Sequence, residues 1–189
     1  MPFDHFGVIA GLYNRAADFI VPAPLLDSLA LSTESLLLDA GGGTGRVADV
    51  LRNMVRKIVV ADPSRRMLNH AAAKGLITTC APAELLPFAS NVFDQIIMVD
   101  ALHHVFNQQQ TVDELWRVLA PGGMVVILEP DIHKFRVKLI ALGEKMLLMR
   151  SRFLSAEKIV QLFSNKNAQA RISYHENIIW VSADKVKKM

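Results

Sequence analysis

A single cysteine, Cys80, stands among 189 residues. That excludes an intramolecular disulfide and a four-cysteine zinc centre, and it suits a reducing compartment. No apolar run reaches about 18 residues, the length at which a segment reads as a membrane span. The amino terminus carries Asp4 and no basic region ahead of an apolar run, so a signal peptide is not expected and the cytoplasm is the expected location. Charge of one sign is scarce: 21 Lys and Arg against 18 Asp and Glu give a formal net charge of +3. There is no basic stripe with interleaved aromatics and no N/D-P-P-Y/F tetrad, so a nucleic-acid partner is not expected. Tyrosine occurs only at 13 and 174, and neither has a lysine four residues on, which removes the Tyr-x-x-x-Lys pair of one oxidoreductase class.

Apolar residues, at 51%, are abundant. They fall in short, near-continuous runs: Leu36–Ala40, 57–62, 76–81, Phe93–Val99 and 124–129. Runs without alternation are the mark of strands covered on both faces. Helical periodicity separates them. Val47, Val50, Leu51 and Met54 fall at i, i+3, i+4 and i+7, as do Val112, Leu115, Trp116 and Leu119, before Pro121-Gly122-Gly123 ends that segment. Alternating strands and helices predict an α/β fold, a Rossmann-like, doubly wound and mostly parallel seven-stranded sheet. The tail is expected to form an antiparallel hairpin around His175-Glu176-Asn177, after a helix capped by Ser155 with Glu157 in its first turn. One domain is expected: cap helices over 1–33, a ligand-binding core over 34–130, a lid-like insertion over 131–153, and a helix and hairpin over 154–189.

The densest signal is Asp39-Ala-Gly41-Gly42-Gly43-Thr44-Gly45-Arg46, between the first buried strand and a helix. Glycines let a backbone turn tightly and approach a ligand. The carboxyl ends of parallel strands are where such sheets bind ligands. Two readings fit. Gly43-Thr-Gly45-Arg-Val-Ala48 satisfies the dinucleotide pattern G-x-G-x-x-G/A, with Asp62 placed 19 residues after Gly43 for a ribose. Alternatively, Asp39-x-Gly41-x-Gly43-x-Gly45 sets an acid at the strand end, two residues before the first glycine.

The second spacing resembles the first motif of class I S-adenosylmethionine-dependent methyltransferases. Four later segments resemble that family in order and spacing: Val60-Ala-Asp62-Pro63-Ser64 with Met67-Leu68; Ala83-Glu84-Leu-Leu86-Pro87-Phe88; Phe93-Asp94 with Asp100-Ala-Leu-His103-His104-Val105; and Trp116-Arg117-Val-Leu-Ala-Pro121-Gly122-Gly123. Phe6, Ile9-Ala10 and Tyr13-Asn14 resemble the leading helix of small-molecule members. Within the class the chain is similar to methyltransferase family 11, which includes the quinone-biosynthesis C-methyltransferases.

That resemblance implies S-adenosylmethionine as cofactor, S-adenosylhomocysteine as product and a small-molecule acceptor. It implies a cofactor site made of Tyr13, Asp39, Gly41, Gly42, Gly43, Thr44, Gly45, Asp62, Met67, Pro82, Ala83, Val99 and Asp100. Asp39 would face the cationic amino-acid end, Asp62 the ribose hydroxyls, and Met67 and Ala83 the adenine. Val99 and Asp100 would line the methyl path. Where the family has an acid before Ala83, this chain has Pro82, which moves that adenine bond to Glu84 or a backbone carbonyl.

His103 and His104 follow the fourth strand and are the general-base candidates, alongside the plainer role of packing at a helix start. Glu129, Asp131 and His133 alternate as hard-metal ligands do, but such spacing also serves simple solvation, and no metal site is assigned. Six basic residues crowd into 132–152 with Phe135, Leu139 and Met146 among its apolar positions. This segment reads as an amphipathic helix on its own domain, as an apolar lid, or as a peripheral membrane contact. Oligomeric state leaves no trace in the sequence. An NAD(P)-binding oxidoreductase and a non-catalytic cofactor-binding module are the other functional classes that the glycine loop admits.

Overall fold

The computed structural model describes residues 26, 29, 31–134 and 151–187. Elements are numbered here in chain order: β1 Leu36–Ala40, α1 Arg46–Leu51, β2 Lys57–Asp62, α2 Arg65–Ala73, β3 Ile77–Cys80, β4 Phe93–Val99, a 3-10 turn Leu102–His104, α3 Gln108–Val118, β5 Leu119–Pro130, α4 Ala156–Gln161, β6 Ala168–His175 and β7 Ile178–Lys185. The strands form one seven-stranded sheet in the order β3-β2-β1-β4-β5-β7-β6. The β1–β2, β2–β3, β1–β4 and β4–β5 pairs are parallel; β7 runs antiparallel to both β5 and β6. This is the mixed sheet with a closing hairpin that the sequence predicts. Strand order reverses between β1 and β4, so a topological switch point opens at their carboxyl ends.

Each strand feeds both faces, because successive side chains point to opposite sides. Leu38, Ile96, Val125 and Ile127 enter one core with Val112, Leu115 and Val118 of α3 and Ile159 of α4. Leu37, Ile97, Val126 and Leu128 enter the other with Val47, Ala48 and Leu51 of α1 and Leu68 and Ala71 of α2. Helices therefore cover both faces, which is why the strand sequences are continuously apolar.

Two details depart from the periodicity. Val50 and Met54 are exposed by 49% and 42%, while Ala48 and Val55 are buried. Val50 lies within α1 but off the buried face that Val47, Ala48 and Leu51 set; α1 ends at Leu51, so Met54 is no longer on a helical face and Val55 turns inward. Leu119 is not the last residue of a helical stripe but pairs with Phe93 as the first of β5, and Pro121-Gly122-Gly123 forms an irregularity before Met124 pairs with Gln95. There a Cβ on Gly123 would lie 2.5 Å from the Asp94 carbonyl oxygen.

Local caps place the helices on the sheet. Ser64, Asn107 and Ser155 each accept from a backbone amide three residues on, in Met67, Gln110 and Lys158. The hairpin turns at Glu176, which adopts φ 52°. Segment 1–25, which contains Tyr13, and residues 135–150 of the lid-like insertion lie outside the described residues. Among the described residues no helix is long and apolar enough to cross a membrane.

The contrast between neighbours on α1 gives a test. Leu51→Ala should lower the unfolding free energy by about 2–5 kcal/mol, whereas Val50→Ala should stay within about 0.5 kcal/mol of the parent. Urea denaturation of the two variants distinguishes this burial pattern from the one that periodicity predicts.

Candidate functional site

The β1–α1 loop lies at the switch point and is gripped from three sides. Gly41, Gly43 and Gly45 adopt φ of +71°, +55° and +69°, the left-handed region where a Cβ is strained. A Cβ on Gly41 would meet the Ala101 side chain at 2.7 Å; one on Gly42 would meet Asp39 Cγ at 2.6 Å and Val60 at 2.9 Å; one on Gly45 would collide with Leu76. Gly43 differs, since among the described residues its only near neighbour would be Asp62 Oδ2 at 3.9 Å. The loop thus leaves bare backbone on one side at Gly43 and is packed elsewhere. The Gly41 and Gly42 amides donate to the Ala61 carbonyl of β2, and Lys74 donates to the carbonyl of buried Thr44.

Two carboxylates flank the loop. Asp62, ending β2, accepts from the Gly43 amide at 3.0 Å and from the Ser64 amide at 2.8 Å. Asp39, in β1, is buried, and neither of its oxygens has a partner at hydrogen-bond geometry. Burial first, and the Asp62 charge second, push its pKa from 3.8 up to about 7, against the opposing pull of Arg46 and the Ala48 amide. A buried carboxylate without a hydrogen bond is costly, and its place under a ligand loop marks a functional position.

The remaining expected contacts lie beyond the carboxyl ends of β2 and β3 or at that of β4. Met67 is buried in the first turn of α2 and belongs to neither apolar core. Ala83 is buried beside Pro82, whose carbonyl accepts from the Leu85 amide. Glu84 is engaged elsewhere: its Oε1 accepts from the Phe106 and Asn107 amides, joining the 82–86 loop to the one after β4. Val99 is core-packed, and Asp100 adopts φ 55°, an uncommon conformation for a residue other than glycine.

His103 and His104 follow in the 3-10 turn, with ring centroids 3.8 Å apart. Burial, with the neighbouring His103 second, pulls the pKa of His104 from 6.5 down to about 3, so it accepts a proton poorly near neutrality. His103 is itself buried. Its Nδ1 lies 2.6 Å from Glu129 Oε2, and its ring stacks on Phe153 at 4.2 Å. Sequence spacing groups Glu129 with Asp131 and His133, but the structure turns it toward β4. Asp131 instead caps its own loop by accepting from the His133 amide, and no cluster of metal-ligating side chains occurs among the described residues. The missed signal lies in strand register: Val99 pairs with Leu128, so the residues that follow each strand end are neighbours.

Residues 38–127 match the family Methyltransf_11, described as a methyltransferase domain. This stretch is a methyltransferase domain of that family. The ubiquinone/menaquinone biosynthesis C-methyltransferase UbiE of Coxiella burnetii is 36% identical over 110 residues, 52% of this chain and 44% of that protein. The mitochondrial 2-methoxy-6-polyprenyl-1,4-benzoquinol methylase of Caenorhabditis elegans is 30% identical over 162 residues, 74% of this chain and 56% of that protein. The chain therefore spans about half the length of the curated relatives it matches. A SAM-dependent methyltransferase structure from Thermotoga maritima superposes with a TM-score of 0.80 at 23% identity, covering 95% of this chain and 98% of that one. The methyltransferase domain holds all the described expected contacts, from Asp39 to Asp100, at one end of its sheet.

The buried acid of this domain gives a pH test. A carboxyl whose folded pKa exceeds its unfolded value binds protons more tightly when folded, so it lowers stability as pH rises between the two values. Asp39 should reduce the unfolding free energy between about pH 4 and pH 7, by up to roughly 4 kcal/mol, with no further change above. Asp113 and Glu114, held low by Lys166 and Arg117, slope the other way. The difference between wild type and Asp39→Asn isolates the Asp39 contribution. Urea titrations at steps of half a pH unit should show the variant gaining relative stability across this window; a flat difference removes the assignment.

Proposed function

We propose that this chain transfers a methyl group from S-adenosylmethionine to a small, apolar acceptor. The observation that carries the reading is the switch-point loop, where a bare Gly43 backbone stands between a buried Asp39, whose oxygens have no hydrogen-bond partner at full geometry among the described residues, and the Asp62 carboxylate. The residues present fit that cofactor. Asp62 would hold the ribose hydroxyls, since a carboxylate offers about four acceptor sites and forms charge-assisted bonds. Gly43 would lie beneath the ligand. Asp39 would act from below the loop as a negative charge toward the cationic amino-acid end, and that interaction would offset its burial. Met67 and Ala83 would line the adenine edge, and Val99 and Asp100 the path of the methyl group.

When bound, the cofactor supplies an activated methyl on a sulfonium. The protein's own work is then orientation and exclusion of water. Orientation comes from fixed backbone: the loop is held by β2, by α2 and by Ala101, so it does not need to reorganise on binding. Of the two histidines, the His104 side chain, neutral near pH 7, suits packing. His103, held by Glu129, is the group whose ring orientation is set. The names of the relatives make quinol-type rings the first acceptors to try, and the partly exposed Asp100, backed by buried His103 and the Phe153 ring stacked on it, would be the group to meet them.

Incubation with methyl-labelled S-adenosylmethionine and a panel of apolar quinols should give labelled product and S-adenosylhomocysteine. Tight binding of NADH with no binding of S-adenosylhomocysteine would sink the proposal. For the ribose contact, Asp62→Asn should raise the dissociation constant of S-adenosylhomocysteine by roughly tenfold to a hundredfold, the loss expected for one charged hydrogen bond. Titration calorimetry measures it, and an unchanged constant would show that Asp62 only braces the loop.

A further inference from the structure

The carboxylate of Glu129, at the end of β5, is buried as deeply as the sheet core, with 2% of its side chain exposed. It accepts three hydrogen bonds. Ala101 and Leu102 donate their amides to Oε1 at 3.0 and 2.9 Å, and His103 Nδ1 stands 2.6 Å from Oε2. Two amides on Oε1 suit a carboxylate that accepts, and the tautomer that completes this pattern carries the ring proton on Nδ1, toward Oε2. The opposite ring nitrogen, Nε2, then faces Asp100 Oδ1 at 4.0 Å.

Capping the 3-10 turn does not account for this arrangement. Elsewhere the chain caps its helices with a short polar side chain three residues from the amide, at Ser64, Asn107 and Ser155. Here the acceptor comes from 26 to 28 residues away, on another strand, and brings a charge into the interior. Burying a carboxylate costs several kcal/mol unless it is well satisfied. The turn that it holds is also the one that packs on the ligand loop, since Ala101 is the contact that requires Gly41 to be glycine. The chain returns to the same turn from the far side: the Arg152 amide donates to the His103 carbonyl at 2.7 Å, and Phe153 stacks on the ring.

We infer that Glu129 is a positioning residue for methyl transfer: it fixes the tautomer of His103 and the 100–104 turn, and so sets the wall that meets the acceptor across from the glycine loop. The inference rests on the proposed methyltransferase activity and adds a residue to it. None of the three hydrogen bonds of Glu129 goes to the glycine loop or to Asp62, so the effect expected of it is on the acceptor side.

Glu129→Gln separates this role from capping. The carboxamide oxygen can still accept from Ala101 and Leu102, but its amino group donates toward Nδ1 and forces the ring proton to Nε2. Nitrogen-15 spectra of labelled histidine should show a protonated Nδ1 at His103 in the wild type and a protonated Nε2 in the variant. Affinity for S-adenosylhomocysteine should remain within about threefold, while kcat falls roughly tenfold or more with KM little changed, as expected when a reacting geometry is loosened. His103→Phe, which keeps the stack on Phe153, should lower kcat similarly and guards against a Gln variant that fails to fold. A wild-type His103 without a proton on Nδ1 would overturn the inference. So would a kcat within twofold of wild type in either variant. Wild-type protein that binds no S-adenosylhomocysteine would overturn the inference and the activity together, through the cofactor and not through Glu129.

Discussion

Close approach of backbone at the end of β1 is the constraint on which the rest of this structure depends. Gly41 lies against Ala101, Gly42 against Asp39 and Val60, and Gly45 against Ala71 and Leu76. These contacts come from the turn after β4, from β2 and from α2, which ordinary connections keep apart in sequence. A side chain at any of the three glycines would push one neighbour away and loosen the switch point. Gly43 alone faces space, so the ligand surface is what remains when every other direction is filled. The loop is specific because it is packed.

Electrostatics divides the two acids of the loop by environment. Asp62 sits at the strand end, partly exposed, with backbone amides on both oxygens. Asp39 sits below, buried, and carries the cost of burial with no such bonds. The same side-chain type therefore does two jobs, a hydrogen-bonding contact and a field beneath the loop. The Asp62 charge adds to burial in raising the pKa of Asp39, so under the proposed function a cationic ligand nearby would favour the ionised form of Asp39.

Much of this was legible in the sequence, for a physical reason. Strands covered on both faces read as unbroken apolar runs, and the glycine loop with Asp39 is local to the end of β1, while Asp62 ends the next apolar run. The hairpin and the Ser155 cap are local too. Periodicity failed at Met54 because a helix of six residues ends before the pattern does, and at Val50 because the buried face runs through Ala48 instead. The role of Glu129 was not legible. Its partners are 26 to 28 residues away, and they meet only once the parallel register sets Leu128 beside Val99. Spacing along one strand suggested a cluster with Asp131 and His133; pairing between strands turned the same side chain toward His103.

The two sides of the site differ accordingly in how they are built. The loop side is held by glycine conformation, by backbone bonds to the neighbouring strand β2 and by a lysine just after α2 on Thr44. The acceptor side is assembled from afar: Glu129 from β5, the histidines after β4, and Arg152 and Phe153 returning from beyond residue 150. Gln108 Nε2 binds the carbonyls of both Leu102 and Arg152, at 3.1 and 2.7 Å, so the start of α3 fastens the returning chain to the histidine turn. A change in the length or packing of the returning segment must then move Phe153, and with it the ring that Phe153 stacks on. The two sides meet where Ala101 lies against Gly41. Under the proposed function, such a division would let the loop side stay constant while the acceptor side is retuned, and would place acceptor specificity in the contacts around His103.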